Sequence, residues 1–319
     1  MARVSVIIAT RNRCALLPRA VESARHAGAE VEIVVVDDAS DDGTREVCEA
    51  WLDVRYIRAR RRLGPGGARN VGIVAGTSEY VSFLDDDDVR LPGSLDAQVG
   101  LLEARPDSGM VYGRVLYGDE ECRPGDGFYP ERCPQGDIFR ELLSWNFIPC
   151  PSVVFRRSCL RRVGLLDEEA FGLEDWDLWV RIAELYPVLA VEEAVAVWRR
   201  PSPESGQFTS RPERMHRVAR RLHAEKWLRL PRPAALGGGE RRRLADAFAE
   251  RAAGQLVAEI AERFKAGRPR DSVRVARALF GMYPVRASRK VAAVAVRWWL
   301  KTARQVSRTN EPGGGKAVP

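Results

Sequence analysis

Four aspartates stand in a row, Asp85, Asp86, Asp87 and Asp88, directly after the apolar run Tyr80-Val81-Ser82-Phe83-Leu84. Aromatic and β-branched residues in alternation read as a buried strand. A block of carboxylates at the end of such a strand lies where ligands of an open α/β sheet collect. Neighbouring carboxylates repel one another and take raised pKa values unless a cation neutralises them. Hard oxygen donors of this kind suit Mg2+ or Mn2+, ions that usually arrive with substrate phosphates. Taken by itself, the run also fits an acidic turn capping a helix that begins near Leu91.

Three further groups carry chemistry. Thr10-Arg11-Asn12-Arg13 follows a first strand and Asp37-Asp38 follows a second. A carboxylate at that second strand end can accept a hydrogen bond from a base imide N–H or a ribose hydroxyl. Arg11, Arg13 and Arg69 can face phosphates, or be no more than solvated charges. The third group is the acidic pair Glu174-Asp175, which alone reads as a helix N-terminus. No G-x-G-x-x-G follows the first strand, which argues against a dinucleotide site.

The elements that must position these groups alternate through the front of the chain. Strands are expected at Val4–Ala9, Val31–Val36, Val54–Arg58 and from Tyr80. Helices are expected at Leu16–Arg25, from Thr44 to Trp51 and from Ala68 to Ala75, with Gly64-Pro65-Gly66-Gly67 as a flexible breaker between strand and helix. A β-α-β-α-β-α-β series argues for a parallel sheet covered on both faces. Gly109–Leu116, Pro151–Phe155 and Val188–Trp198 read as later strands and Trp176–Leu185 as a helix. After Pro201-Ser202-Pro203-Glu204-Ser205-Gly206 strand signals vanish. Helical stretches follow at about 212–230, 240–266, 271–281 and 285–309.

These pieces resemble the family 2 glycosyltransferases of the GT-A fold. The resemblance is carried by Val-Ser-Val-Ile-Ile-Ala-Thr-Arg-Asn-Arg, Val-Val-Val-Asp-Asp-Ala-Ser-Asp-Asp-Gly-Thr, Gly-Pro-Gly-Gly-Ala-Arg-Asn-Val-Gly and Phe-Leu-Asp-Asp-Asp-Asp. It continues through Ser152–Arg157 and Val163–Asp167 to Glu174-Asp175-Trp176-Asp177-Leu178-Trp179, in family order over roughly residues 3–200. It implies an α/β fold with a Rossmann-like, mostly parallel sheet. It also implies a metal-dependent, inverting sugar transfer from a nucleotide sugar, with Mn2+ or Mg2+ as cofactor. Thr10, Arg11 and Arg13 would lie around the nucleotide, Asp38 would read the base edge, and Arg69 would line the nucleotide pocket. Asp85 and Asp87 fit the D-x-D pattern, with Asp87 as metal ligand and Asp86 near the ribose. Asp175 matches the general base. Many relatives carry a histidine shortly after the last catalytic strand; here Trp198-Arg199-Arg200-Pro201 stands there instead. Arg199 or Arg200 then either contacts the diphosphate or is a solvated basic pair.

Composition bounds the rest. The chain has 319 residues and a net charge of +7, but residues 1–205 carry 25 Lys and Arg against 35 Asp and Glu, and residues 206–319 carry 26 against 9. The expected domains are a catalytic domain at 1–205, a basic helical region at 206–310 and a disordered tail at 311–319. The six cysteines are scattered without a C-x-x-C pair, which fits reduced thiols in a cytoplasmic protein. The N-terminus has too short an apolar stretch for a signal peptide.

In the last helix, basic residues 286, 290, 297, 301, 304 and 308 share one face, with Trp298 and Trp299 near the middle. Such a helix suits the anionic inner face of a membrane. Packing against the catalytic domain or a second subunit, as in a homodimer, accounts for it equally simply. Nucleic-acid binding lacks a motif. Two function classes remain: a transferase, or a non-catalytic membrane or nucleic-acid adaptor that keeps the fold. For a transferase, the donor is a UDP- or dTDP-sugar. The acceptor is a glycan, a lipid-linked saccharide, a natural product or a peptide side chain.

Overall fold

The computed structural model describes residues 3–200 and 210–290. The first strand, β1 (Val4–Thr10), leads through α1 (Leu17–His26) to β2 (Val31–Asp37). The chain then runs through α2 (Thr44–Glu49), β3 (Val54–Arg58) and α3 (Gly64–Ala75) into β4 (Tyr80–Asp85). All four strands pair in parallel, in the order β3-β2-β1-β4. The order reverses between β1 and β4, which opens a crevice at their C-terminal ends. In register, Thr10 lies beside Asp37 and Ala9 beside Asp85. The expected parallel series is therefore present, and it ends on the aspartates.

The second half of the sheet is mixed. A two-residue β5 (Val89–Arg90) and α4 (Ser94–Ala104) precede β6 (Met110–Gly118) and β7 (Pro124–Tyr129). Then come α5 (Phe139–Ser144), β8 (Val154–Arg156), α6 (Leu160–Val163), α7 (Glu174–Leu185) and β9 (Val188–Arg199). β8 runs antiparallel to both β4 and β6, while β9 lies parallel to β6. Neither β5 nor β7 was expected from sequence. β5 is too short to show a period, and β7 (Pro-Gly-Asp-Gly-Phe-Tyr) is rich in residues that strands disfavour.

Period-2 alternation divides each central strand between two cores. Val6 and Ile8 of β1, Ile33 and Val35 of β2, and Leu84 of β4 meet α1 and α4 on one face. Ile7, Val34, Val36 and Phe83 meet α3, α5 and α7 on the other. The breaker expected at Gly64–Gly67 is instead the first turn of α3. Pro65 near the helix start supplies a preset φ and needs no intrahelical partner for its missing N–H. Gly72 lets α3 approach the sheet closely: a Cβ there would lie 2.3 Å from Ile7 Cγ2.

The helices beyond residue 210 are divided between two compact units, 1–248 and 249–319. α8 (Pro212–Glu225), a 3-10 turn (Trp227–Arg229) and α9 (Pro231–Ala234) belong to the first. Leu222 and Trp227 sit in its core. α10 (Gly238–Lys265) runs across the division, and α11 (Pro269–Met282) belongs to the second unit. There Leu256, Val275, Leu279 and Ala287 form a small core. The basic face expected over 286–308 falls mostly outside the described residues, as does the tail. Among the described residues, no helix is long and apolar enough to cross a membrane.

Asp177 fastens α8 and its following turn to α7. It is fully buried and accepts from Arg181 Nε at 2.9 Å, Lys226 Nζ at 2.8 Å and Trp227 Nε1 at 3.0 Å. Asp177→Ala would leave the Arg181 Nε–H and the Trp227 indole N–H without this acceptor and reduce Lys226 to its pair with Asp167. A loss of on the order of 3 kcal/mol is expected in urea denaturation. A change under 1 kcal/mol would show that the cluster is not a structural anchor.

Candidate active site

The strand ends converge on one cavity of about 880 Å3. Nine residues singled out from sequence line it: Thr10, Arg11, Arg13, Asp38, Arg69, Asp85, Asp86, Asp87 and Asp175. Asp88 is not on its wall. Residues 10–13 arrive from the end of β1, Asp38 from the end of β2, and Asp85–Asp87 from the end of β4. Arg69 comes from α3 and Asp175 from the first turn of α7.

The aspartates differ in how they are held. Thr10 Oγ1 donates to Asp86 at 2.7 Å, and Arg13 reaches Asp86 at 2.7 Å and Asp87 at 3.1 Å. Arg199, at the end of β9, reaches Asp87 at 3.3 Å, while its backbone N–H donates to Asp88. Arg200 instead is exposed and stacks over Tyr117 at 4.7 Å. Of the basic pair, Arg199 is thus the member that reaches the carboxylates. Burial raises the Asp86 carboxyl to about 6 and pushes Asp87 upward too, against the pull of Arg13. Asp88 is driven well above the usual range by burial and by the charges of Asp85 and Asp87. Its Oδ2 is buried with no hydrogen-bond partner.

Asp38 is more constrained than its expected role requires. Its carboxylate accepts from the backbone N–H groups of Leu63 and Gly64, which fixes the loop entering α3. Each oxygen keeps a second lone pair for another donor. Arg11 donates to the Asp38 carbonyl at 2.9 Å.

Arg69 spans the two acidic groups. It pairs with Asp85 on one side and with Glu174 at 2.6 Å on the other, while lying 5.5 Å from the Phe83 ring. Glu174 is buried and also accepts from Gly172 N–H at 2.6 Å, so it is fully engaged in fixing the turn before α7. Asp175 is half-buried and lines the cavity. Burial and the nearby Glu174 charge raise its pKa to about 7, with Arg69 opposing them. A carboxylate poised there can take a proton near neutral pH.

From sequence, acceptor recognition is expected in Phe128–Pro151 and the helical half without a readable code, and no aromatic wall is singled out. Tyr117, Tyr129, Trp145 and Trp198 line the cavity from β6, β7, the segment after α5, and β9. The only signal was aromatic density between Phe128 and Phe147, which has no motif. His216, buried on α8, lines the cavity as well, and burial lowers its pKa to about 4.

Residues 5–164 match the family described as Glycosyl transferase family 2. The chain belongs to this family. An uncharacterized glycosyltransferase of Methanocaldococcus jannaschii is 26% identical over 210 residues, covering 63% of this chain and 72% of that protein. A GalNAc(5)-diNAcBac-PP-undecaprenol beta-1,3-glucosyltransferase of Campylobacter jejuni is 33% identical over 193 residues, 57% of this chain and 60% of that one. The succinoglycan biosynthesis protein ExoO of Rhizobium meliloti is 40% identical over 104 residues, 32% and 30% of the two chains. The chain thus spans less than two thirds of the last two. Among solved structures, S. aureus TarS 1-349 aligns with a TM-score of 0.60 at 21% identity, covering 89% of this chain and 82% of that one. A mannosyltransferase of Pyrobaculum calidifontis aligns with a TM-score of 0.54 at 20% identity, covering 96% and 83%. Both share the fold, which is the GT-A-like α/β arrangement expected for family 2.

Because Arg69 holds the Asp175 pKa down, Arg69→Met should raise it above about 7. Carboxylate 13C shifts followed through a pH titration read this directly. An unchanged midpoint would mean that Arg69 does not act on Asp175.

Proposed function

We propose that this chain transfers a sugar, with inversion, from a UDP- or dTDP-sugar to an acceptor hydroxyl. The observation that carries the reading is the placement of Asp175. It is a half-buried carboxylate with a pKa of about 7 on the same cavity as the strand-end aspartates. The Campylobacter relative is named a glucosyltransferase, TarS 1-349 has been solved with UDP-GlcNAc, and the Pyrobaculum enzyme with GDP-Man and Mn2+. Those names support sugar transfer from a nucleotide donor. The choice of base rests on Asp38, whose remaining lone pairs suit an imide N–H.

The chemistry follows from the residues. Asp175 takes the proton of the acceptor hydroxyl as that oxygen bonds to the anomeric carbon. The bond from that carbon to the diphosphate oxygen breaks on the opposite face, and its electron pair leaves with the nucleoside diphosphate. One carboxylate suffices, because the diphosphate leaves without a proton from the protein; a glycosidase needs two. Arg13 and Arg199 place positive charge beside Asp87, where the diphosphate charge can be balanced.

The donor set fits a divalent cation. Asp85 and Asp87 reach the cavity, and the orphaned Asp88 oxygen and raised Asp87 pKa mark a carboxylate cluster short of positive charge. Mg2+ is commonly bound by one or two carboxylates plus substrate phosphates. Asp87 and Asp85 would be the side chains that hold it. An ion held there would supply charge neutralisation at the departing diphosphate. Membrane-surface association through the basic region after residue 206 is part of the same reading, on charge alone.

Asp175→Asn keeps the side chain's size but cannot take the proton. Donor binding should stay within a few-fold while kcat falls by roughly 10²–10⁴. In the wild type, kcat/KM for the acceptor should fall tenfold per pH unit below about 7, where Asp175 is protonated. Near-normal transfer by the variant would sink the assignment.

Metal dependence is tested by calorimetry. UDP binding in Mn2+ should weaken at least tenfold on adding EDTA and in Asp87→Ala, and UDP should bind better than GDP. Unaltered transfer in EDTA would rule the ion out.

A further inference from the structure

The cavity has two chemically distinct sides. The parallel half of the sheet presents carboxylates, arginines and Thr10, which suit a nucleoside diphosphate. The mixed half presents aromatic rings. At about 880 Å3 the cavity lies near the top of the roughly 300–1,000 Å3 range for small-molecule sites, leaving room for a second ligand.

The aromatic side is built from chain segments far apart in sequence. Trp198 lies 6.1 Å from the Tyr117 ring and 6.4 Å from the Tyr129 ring, at interplanar angles of 31° and 48°. Trp145 Nε1 donates to the Tyr129 hydroxyl at 3.2 Å, and that hydroxyl donates to the Asn146 carbonyl at 3.1 Å. Trp145 also meets Trp176, the neighbour of Asp175, at 6.1 Å. The rings are therefore fixed in place, half-buried, and continuous with the helix turn that carries the base. Arg200 stacks on the Tyr117 ring from outside the cavity lining and helps to hold it.

We propose that Tyr117, Tyr129, Trp145 and Trp198 form the acceptor subsite and that it takes a pyranose ring, making the acceptor a saccharide. This rests on the transferase reading above. A pyranose has axial C–H bonds on a face that packs on aromatic carbon, while its equatorial hydroxyls point outward to polar groups. The tilted rings line one side of the cavity with Asn146 beside them, which suits that shape. A flat aglycone would call for two parallel faces. A peptide side chain would call for backbone hydrogen-bonding groups, which aromatic rings do not offer. Trp176, which meets Trp145, directly follows Asp175, and the rings and Asp175 line the same cavity, so a ring bound there would share it with the base.

Saturation-transfer NMR on the full chain tests this, with methyl β-D-glucopyranoside, methyl β-D-galactopyranoside and methyl α-D-mannopyranoside in the presence of UDP. A short serine peptide and naringenin serve as competing classes. At least one pyranoside should show transfer to its ring C–H protons. Trp198→Leu and Tyr117→Leu, which keep apolar bulk but lose the ring face, should weaken that binding at least tenfold. Trp198→Phe should restore most of it. UDP affinity, measured on every variant, should stay within two-fold and reports that the fold is intact. If UDP binds but no pyranoside does, or pyranoside binding survives both leucine variants, the subsite assignment is overturned. Binding of the peptide or naringenin alone overturns it too. If neither UDP nor GDP binds, the transferase reading itself fails and takes the subsite with it.

Discussion

The crowding of negative charge at the end of β4 governs this half of the molecule. Asp85, Asp86, Asp87 and Asp88 face three guanidinium groups, those of Arg13, Arg69 and Arg199. Two like charges 4 Å apart repel by about 4 kcal/mol at an effective dielectric of 20. Such a cluster is stable only where cations or protons offset the excess. The arrangement shows both: arginines from β1, α3 and β9 converge there, and the most buried carboxyl, Asp88, is driven strongly toward its protonated form. Three elements from different parts of the chain are thus tied to one strand end.

Arg69 extends the same electrostatics from Asp85 to the start of α7. By pairing with Glu174 it holds the turn at which α7 begins, and Glu174 in turn holds Gly172. Asp175 and Asp177 then separate by geometry. Two residues along an α-helix are roughly 200° apart, so they point to opposite sides. Asp175 faces the cavity. Asp177 faces Lys226 and Trp227, joining α7 to the helical region that follows the catalytic strands. One acidic segment, Glu174-Asp175-Trp176-Asp177, therefore carries a carboxylate that fixes the turn, one that lines the cavity and one that anchors the following helices.

Much of this was legible in sequence, for a physical reason. The parallel strands are buried on both faces, so Val31–Val36 and Tyr80–Leu84 show nearly unbroken apolar character, and the reacting groups sit at their ends. Thr10, Arg11, Arg13, Asp38 and Asp85–Asp87 reach one cavity because topology places parallel strand ends together. What was hidden depended on tertiary packing. Gly64–Gly67 reads as a breaker because glycine and proline disfavour helix interiors, yet Pro65 is well placed in a first turn. β7 has no strand composition and exists only because β6 offers it a partner. Arg199 could not be told from a solvated charge until Asp87 was seen beside it.

The aromatic wall shows the limit of local reading most directly. Tyr117, Tyr129, Trp145 and Trp198 share no period and no motif, and each alone is an ordinary half-buried ring. They meet because β9 pairs in parallel with β6 while β7 pairs antiparallel to it on the other side, placing Trp198 beside Tyr117 and Tyr117 near Tyr129. The parallel half of the sheet thus concentrates charge at strand ends, where sequence reveals it. The mixed half gathers apolar faces across strands, where only the pairing register reveals them. The two halves join where β8 pairs antiparallel with β4, so the charged and the aromatic sides border one cavity.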